Sequence, residues 1–142
     1  MSTIDDPKPT GDQPRTGGSL YGERIEEHWK RPHNHGTLEA PEVSQEELNP
    51  LCGDRIRLEL RVREGRVAAA RFRGDACMVA TAAASLLTDL VTGLSITEAA
   101  TLPRERLLEA IGGPLRPARV ACALLVLTAL HKGLARHLAE PA

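Results

Sequence analysis

Cys52, Gly53 and Asp54 stand directly in front of the clearest secondary-structure signal in the chain. Over residues 55–62, Ile56, Leu58, Leu60 and Val62 alternate with Arg55, Arg57, Glu59 and Arg61. A two-residue period of this kind predicts a strand with one face buried. Glu64-Gly65 supplies a turn, and residues 66–73 return with Val67, Ala70 and Phe72 as inward candidates. The chain beyond residue 78 reads as helix. Strands early and helices late predict an α+β domain, with a thiol and a carboxylate at the start of its first legible strand.

The helical part has clear punctuation. Residues 79–92 are rich in alanine and leucine and stop at Gly93. Ser95-Ile96-Thr97-Glu98 has the spacing of a capping box. Pro103 suits a first helical position, and Gly112-Gly113 ends that helix. Pro117 opens one long C-terminal helix carrying Val120, Leu124, Leu127, Leu134 and Leu138. Before the strands, Ser19 caps a helix over residues 20–30 that Arg31-Pro32 stops. Residues 33–48 are polar and read as irregular. Residues 1–19, rich in Pro, Gly, Asp and Thr, read as a disordered tail, which leaves 20–142 as the single domain. Trp29 and Phe72 are expected in its core.

Charge and cysteine usage narrow the function. Lys+Arg is 18 against 19 Asp+Glu, a net charge of −1. There is no basic field to hold nucleic acid or an anionic membrane. No apolar run approaches the ~20 residues of a spanning helix, and the tail lacks the apolar stretch of a signal peptide. Three well-separated cysteines are an odd number, which predicts reduced thiols and a cytoplasmic setting over a disulfide framework. A monomer or weak homodimer is expected.

Those thiols, Cys52, Cys77 and Cys122, can converge with Asp54 on one metal ion. Zinc and iron both accept thiolate sulfur, and a carboxylate oxygen completes a tetrahedron. Structural zinc sites more often use four Cys or His ligands, so an oxygen in the set predicts a site that opens. Each residue has a plainer reading. Asp54 would cap its strand or pair with Arg55 or Arg57. Cys77 and Cys122 would be small buried hydrophobes, although a thiol at a helix N-terminus is also biased towards thiolate. Arg119, three residues before Cys122, shares its helical face and would offset the negative charge of the site, or simply be solvated. His33 and His35, two residues apart after a helix end, have a spacing that could bind a metal but read rather as a solvated loop, and His131 and His137 read as surface residues.

Five segments taken together resemble a known family. They are Arg31-Pro32-His33-Asn34-His35-Gly36, Asn49-Pro50-Leu51-Cys52-Gly53-Asp54, Phe72-Arg73-Gly74-Asp75-Ala76-Cys77, Ser85-Leu86-Leu87-Thr88-Asp89 and Pro117-Ala118-Arg119-Val120-Ala121-Cys122-Ala123. In this order they resemble the iron–sulfur scaffold family of IscU, SufU and the N-terminal domain of NifU. The resemblance implies a three-stranded antiparallel sheet packed against several helices, with Cys52, Asp54, Cys77 and Cys122 clustered at one exposed end. It also implies a choice of mechanism. Ala121 stands where IscU-type proteins carry a histidine, and Leu115-Arg116-Pro117-Ala118-Arg119 keeps little of their chaperone-binding segment. Arg119 before the last cysteine resembles SufU, while the short Cys77–Cys122 interval resembles IscU. The balance implies a zinc-bearing sulfur acceptor for a PLP-dependent cysteine desulfurase in a SUF-type system, serving downstream recipient apo-proteins. Cys52 is then the persulfide acceptor and Arg119 its charge stabiliser. The alternatives are a scaffold that assembles a [2Fe–2S] cluster on Cys52, Cys77 and Cys122, with sulfur arriving on Cys122, or a structural zinc domain that only mediates interaction.

Overall fold

The computed structural model describes residues 22–140. The predicted tail and the first two residues of the predicted N-terminal helix lie outside the described residues. The elements run α1 (Glu23–Lys30), β1 (Val43–Asn49), β2 (Asp54–Arg63), β3 (Arg66–Asp75), α2 (Met78–Val91), α3 (Ile96–Ala100), α4 (Arg104–Ile111), α5 (Pro117–Ala123) and α6 (Leu125–Ala139).

The strands form an antiparallel sheet in the order β1-β2-β3. On β2 the predicted inward residues Ile56, Leu58 and Leu60 are buried, and on β3 so are Val67, Ala70 and Phe72. Val67 and Ala70 break a strict two-residue period, and the bulge between Arg61 and Val62 accounts for it. A bulge sets two residues of one strand against one of its partner and resets the face on which later residues lie.

β1 corrects the sequence reading, which took this stretch as irregular. Its sequence, Val-Ser-Gln-Glu-Glu-Leu-Asn, has too few apolar residues to show alternation. It pairs with β2 from Val43↔Leu60 to Asn49↔Asp54. Gln45 and Glu47 are covered by α6, where Arg136 donates to Gln45 Oε1 and Lys132 Nζ reaches Glu47 Oε1 at 3.2 Å.

α2 is the central helix. Ala80, Ala82, Ala83, Ala84 and Leu87 are all buried, so it is apolar nearly all round, the composition of a helix enclosed on every side. α1 packs against it through Ile25. Trp29 does not join the core as expected: it lies at the rim of this short helix and is 43% exposed. The capping box of α3 forms as read, with Glu98 N–H donating to Ser95 Oγ at 3.0 Å and Ser95 N–H to Glu98 Oε1 at 3.1 Å. Pro103 occupies the N-cap of α4, one place earlier than expected.

The predicted long C-terminal helix is broken at Leu124 into α5 and α6. Leu124 is the single residue between them; its N–H keeps the bond to Val120 O at 3.0 Å while also reaching Cys122 O. Taken together, Pro117–Ala139 is long and apolar enough to cross a membrane by length and composition, contrary to the sequence reading. Half of that window is buried within this fold, where α6 covers β1 and β2.

Candidate metal centre

The β1–β2 hairpin sets up the first donor. Asn49 pairs with Asp54, leaving Pro50, Leu51, Cys52 and Gly53 as the loop. Gly53 N–H donates to Asn49 O at 2.7 Å, and Leu51 N–H to Asn49 Oδ1 at 3.1 Å. Gly53 closes the turn at φ +78, a conformation glycine adopts without a Cβ penalty. Cys52 is therefore exposed at a hairpin tip, and Asp54, two residues on, is buried at the first position of β2.

Gly74 brings the next segment close. A Cβ there would sit 2.0 Å from Arg55 O, so only glycine lets β3 cross its neighbour at this distance. The chain then places Cys77 at the N-cap of α2. Its N–H donates to Asp54 Oδ1 at 2.9 Å, and its Sγ accepts from Ala80 N–H at 3.5 Å. Cys122, on α5, is buried with its Sγ 3.8 Å from that of Cys52. Cys52, Asp54 and Cys122 each offer a ligand atom, and the three atoms lie within 4.8 Å of one another. Cys77 flanks this trio and is tied to it through Asp54.

Electrostatics favour a cation between these groups. Burial raises the Asp54 carboxyl, but the thiols of Cys52, Cys77 and Cys122 and the Cys77 N–H outweigh it and hold it below the ordinary value. Burial first, then the neighbouring Cys77 and Cys52, pushes the Cys122 thiol up to about 12. Among the described residues Asp54 Oδ2 is buried with no hydrogen-bond partner, and an orphaned buried carboxylate oxygen is costly unless something binds it. Thiolates with one carboxylate form a donor set that zinc and iron accept. The competing role for Asp54, pairing with arginine, is filled elsewhere: Arg55 and Arg57 pair with Glu46 at 3.6 and 3.1 Å.

Arg119 lies between two depressions. With Leu51, Cys52, Arg116 and Cys122 it lines an open groove of ≈ 400 Å³, and with Cys77, Met78 and Val79 a smaller one of ≈ 80 Å³. Sequence reasoning passed over Leu51 and Arg116. Leu51 is 95% exposed, and the signal for it was a large apolar residue within the turn that carries Cys52.

The histidines hold the scaffold. His33 is not simply solvated: its Nδ1 meets Asp89 Oδ2 at 2.6 Å and its N–H donates to Ser85 Oγ at 2.7 Å. Asn34 Nδ2 donates to Thr88 Oγ1 and Asp89 Oδ1. The Arg31–Gly36 and Ser85–Asp89 segments thus clasp each other. His35 is exposed, edge-on to Phe72 with ring centroids 5.3 Å apart. His131 is half-buried, against expectation, because its Nε2 donates to Leu102 O at 2.9 Å. His137 is likewise only partly exposed.

Residues 20–142 match the family described as NifU-like N terminal domain. The chain is 42% identical over 113 residues to a bifunctional protein NifU/MnmA of Rubrobacter xylanophilus, covering 79% of this chain but only 23% of that relative's length. It is 33% identical over 135 residues to a zinc-dependent sulfurtransferase SufU of Bacillus subtilis, covering 83% of this chain and 91% of the relative. The crystal structure of the N-terminal part of a nitrogen-fixing NifU-like protein from Brucella abortus shares the fold, with a TM-score of 0.68 at 24% identity over 88% of this chain and 98% of that one.

Proposed function

The chain belongs to the NifU-like N-terminal domain family, and from that premise we propose that it is a zinc-bearing sulfur acceptor in iron–sulfur cluster biogenesis. It takes sulfur from a PLP-dependent cysteine desulfurase and passes it towards recipient apo-proteins. The observation that carries this reading is the unequal setting of two adjacent thiols, Cys52 exposed on a hairpin tip and Cys122 buried 3.8 Å away. Cys52, Asp54, Cys77 and Cys122 would hold the zinc, which when bound keeps coordinated thiols deprotonated at neutral pH.

Sulfur transfer then needs one thiolate that can leave the set. The Cys52 thiolate attacks the outer sulfur of the desulfurase's cysteine persulfide. The new S–S bond forms as the old one breaks, and the desulfurase cysteine departs as a thiolate. Cys52 is left as the persulfide. A donor on a hairpin loop swings out at less cost than one within a packed helix. Arg119, lining the groove beside Cys52, offsets the charge of the freed sulfur. Incubation with desulfurase and cysteine, followed by mass spectrometric mapping, should find the persulfide on Cys52 and lose it in Cys52→Ala. Sulfur accepted at the wild-type rate by that variant would overturn the reading.

The donor set also supports a second reading, because thiolates grouped around an orphaned carboxylate oxygen accept iron as well as zinc. In it Cys52, Cys77 and Cys122 hold a nascent [2Fe–2S] cluster, and sulfur enters on Cys122. Anaerobic reconstitution with iron and sulfide would then yield a transferable cluster at these thiols, whereas a sulfur acceptor keeps stoichiometric zinc and accelerates the desulfurase. Zinc without any effect on the desulfurase would leave an interaction domain.

A further inference from the structure

A second group of side chains able to ligate a metal meets at the far end of α2, away from the thiols. Asp89 is twelve residues beyond Cys77, about 18 Å along a helix. There His28, His33 and Asp89 each present a ligand atom, and the three atoms lie within 4.8 Å of one another. We propose that these residues form a second metal site, one that takes a divalent first-row transition ion.

The side chains are already oriented from behind. His28 Nδ1 lies 2.7 Å from Ser85 Oγ, and Ser85 is fully buried. The same oxygen accepts the His33 N–H at 2.7 Å, which fixes the loop carrying the second imidazole. Asn34 Nδ2 holds Asp89 Oδ1 at 2.9 Å and leaves Oδ2 against His33 Nδ1 at 2.6 Å. Outer partners of this kind set ring orientation and tautomer in metal sites. Ser85 Oγ engages Nδ1 of His28, which leaves Nε2 as the ring nitrogen open to an ion. The two rings are 4.5 Å apart between centroids and tilted by 50°, so they converge without stacking.

Charge suits the same role. Ligation requires neutral imidazole, and burial, then the neighbouring His33, holds His28 below its ordinary value. Asp89 and Glu27 contribute negative charge around it, with Arg24 opposing. Two imidazoles and one carboxylate favour zinc, nickel, cobalt or ferrous iron over calcium or magnesium, which prefer all-oxygen shells. His33 and Asp89 are each about half exposed, 50% and 46%, so an ion enters from solvent and water completes its shell. The hydrogen bond between His33 Nδ1 and Asp89 Oδ2 spans part of that place.

The test uses the full-length chain, first loaded with one equivalent of zinc, and Ni²⁺ as the probe. Calorimetry should find one further equivalent. The ring signals of His28 and His33 should broaden in NMR spectra while those of His131 and His137 persist. His33→Gln and Asp89→Asn should each weaken Ni²⁺ binding by at least about tenfold with the zinc content unchanged. Broadening confined to other histidines, or variants that bind Ni²⁺ like the wild type, would overturn the site. The NMR readout on the unmodified protein decides the matter even if a variant fails to fold, and it does not depend on whether the thiols hold zinc.

Discussion

The sulfurs of Cys52 and Cys122 lie 3.8 Å apart although seventy positions separate them in the chain. One is exposed at the tip of a hairpin and the other is buried on α5. Their environments therefore differ far more than their distance, and that difference can be measured.

In the metal-free protein Cys52 should be alkylated at least about tenfold faster than Cys122, because reactivity follows access and thiolate content. Cys122 is buried and its thiol is pushed up to about 12. A time course of iodoacetamide labelling read by mass spectrometry checks the order. Equal rates would show that the buried thiol is open to solvent.

Asp54→Asn keeps an oxygen able to accept the Cys77 N–H but removes the charge. If Asp54 is a ligand, zinc affinity should fall by at least about tenfold while the fold persists. Competition with a chromophoric chelator measures it. Unchanged affinity would remove Asp54 from the set and leave its orphaned Oδ2 unexplained.

Metal removal should destabilise the chain, since an ion that binds only the native state adds stability by mass action. At a hundredfold excess over Kd the gain is about 2.7 kcal/mol, or roughly 5–10 °C in Tm for a domain of this size. Melting curves with and without a strong chelator, with metal loss verified, decide it. Coincident curves would refute a stabilising role.

Gly74→Ala should cost about 1–3 kcal/mol, the usual penalty for forcing atoms into a filled space. The added Cβ meets backbone oxygen of Arg55, which cannot step aside as a flexible side chain would. Denaturant titration measures the loss, and the displaced strand should also weaken metal binding. A loss below about 0.5 kcal/mol would mean that β2 and β3 part here without strain.

The clasp of α1 on α2 should loosen in acid. Burial, then His33, holds His28 below its ordinary 6.5, so the unfolded chain takes up a proton more readily than the folded one. The contribution is present above pH 6.5 and is lost as pH falls through the lower folded value. In metal-free protein, stability should decline from pH 7 to 5, and His28→Gln should flatten part of that slope. An unaltered slope in the variant would assign it to other groups.

Features that depend on near neighbours were legible in the amino-acid order. The alternation along β2, the capping box at Ser95 and Glu98, and the turn at Glu64-Gly65 all formed as read. Such signals can be read because each residue interacts with others a few positions away. The four candidate ligands were legible for a different reason, since the segments around them match a family pattern. Other features emerged only from packing. β1 is polar on the face that α6 covers, so no periodicity announces it; Gln45 and Glu47 are satisfied by Arg136 and Lys132, about ninety residues away. The one-residue break at Leu124 coincides with no helix-breaking residue. Cys77 and Cys122 read alike in sequence, yet packing buries Cys122 and leaves Cys77 partly open. His28, Ser85 and Asp89 carry no shared local pattern, and they meet because α1 and α2 pack together. Local sequence marks the caps, turns and amphipathic elements, whereas a polar strand such as β1, burial and the partners of polar side chains depend on contacts between distant segments, which no short window of sequence contains.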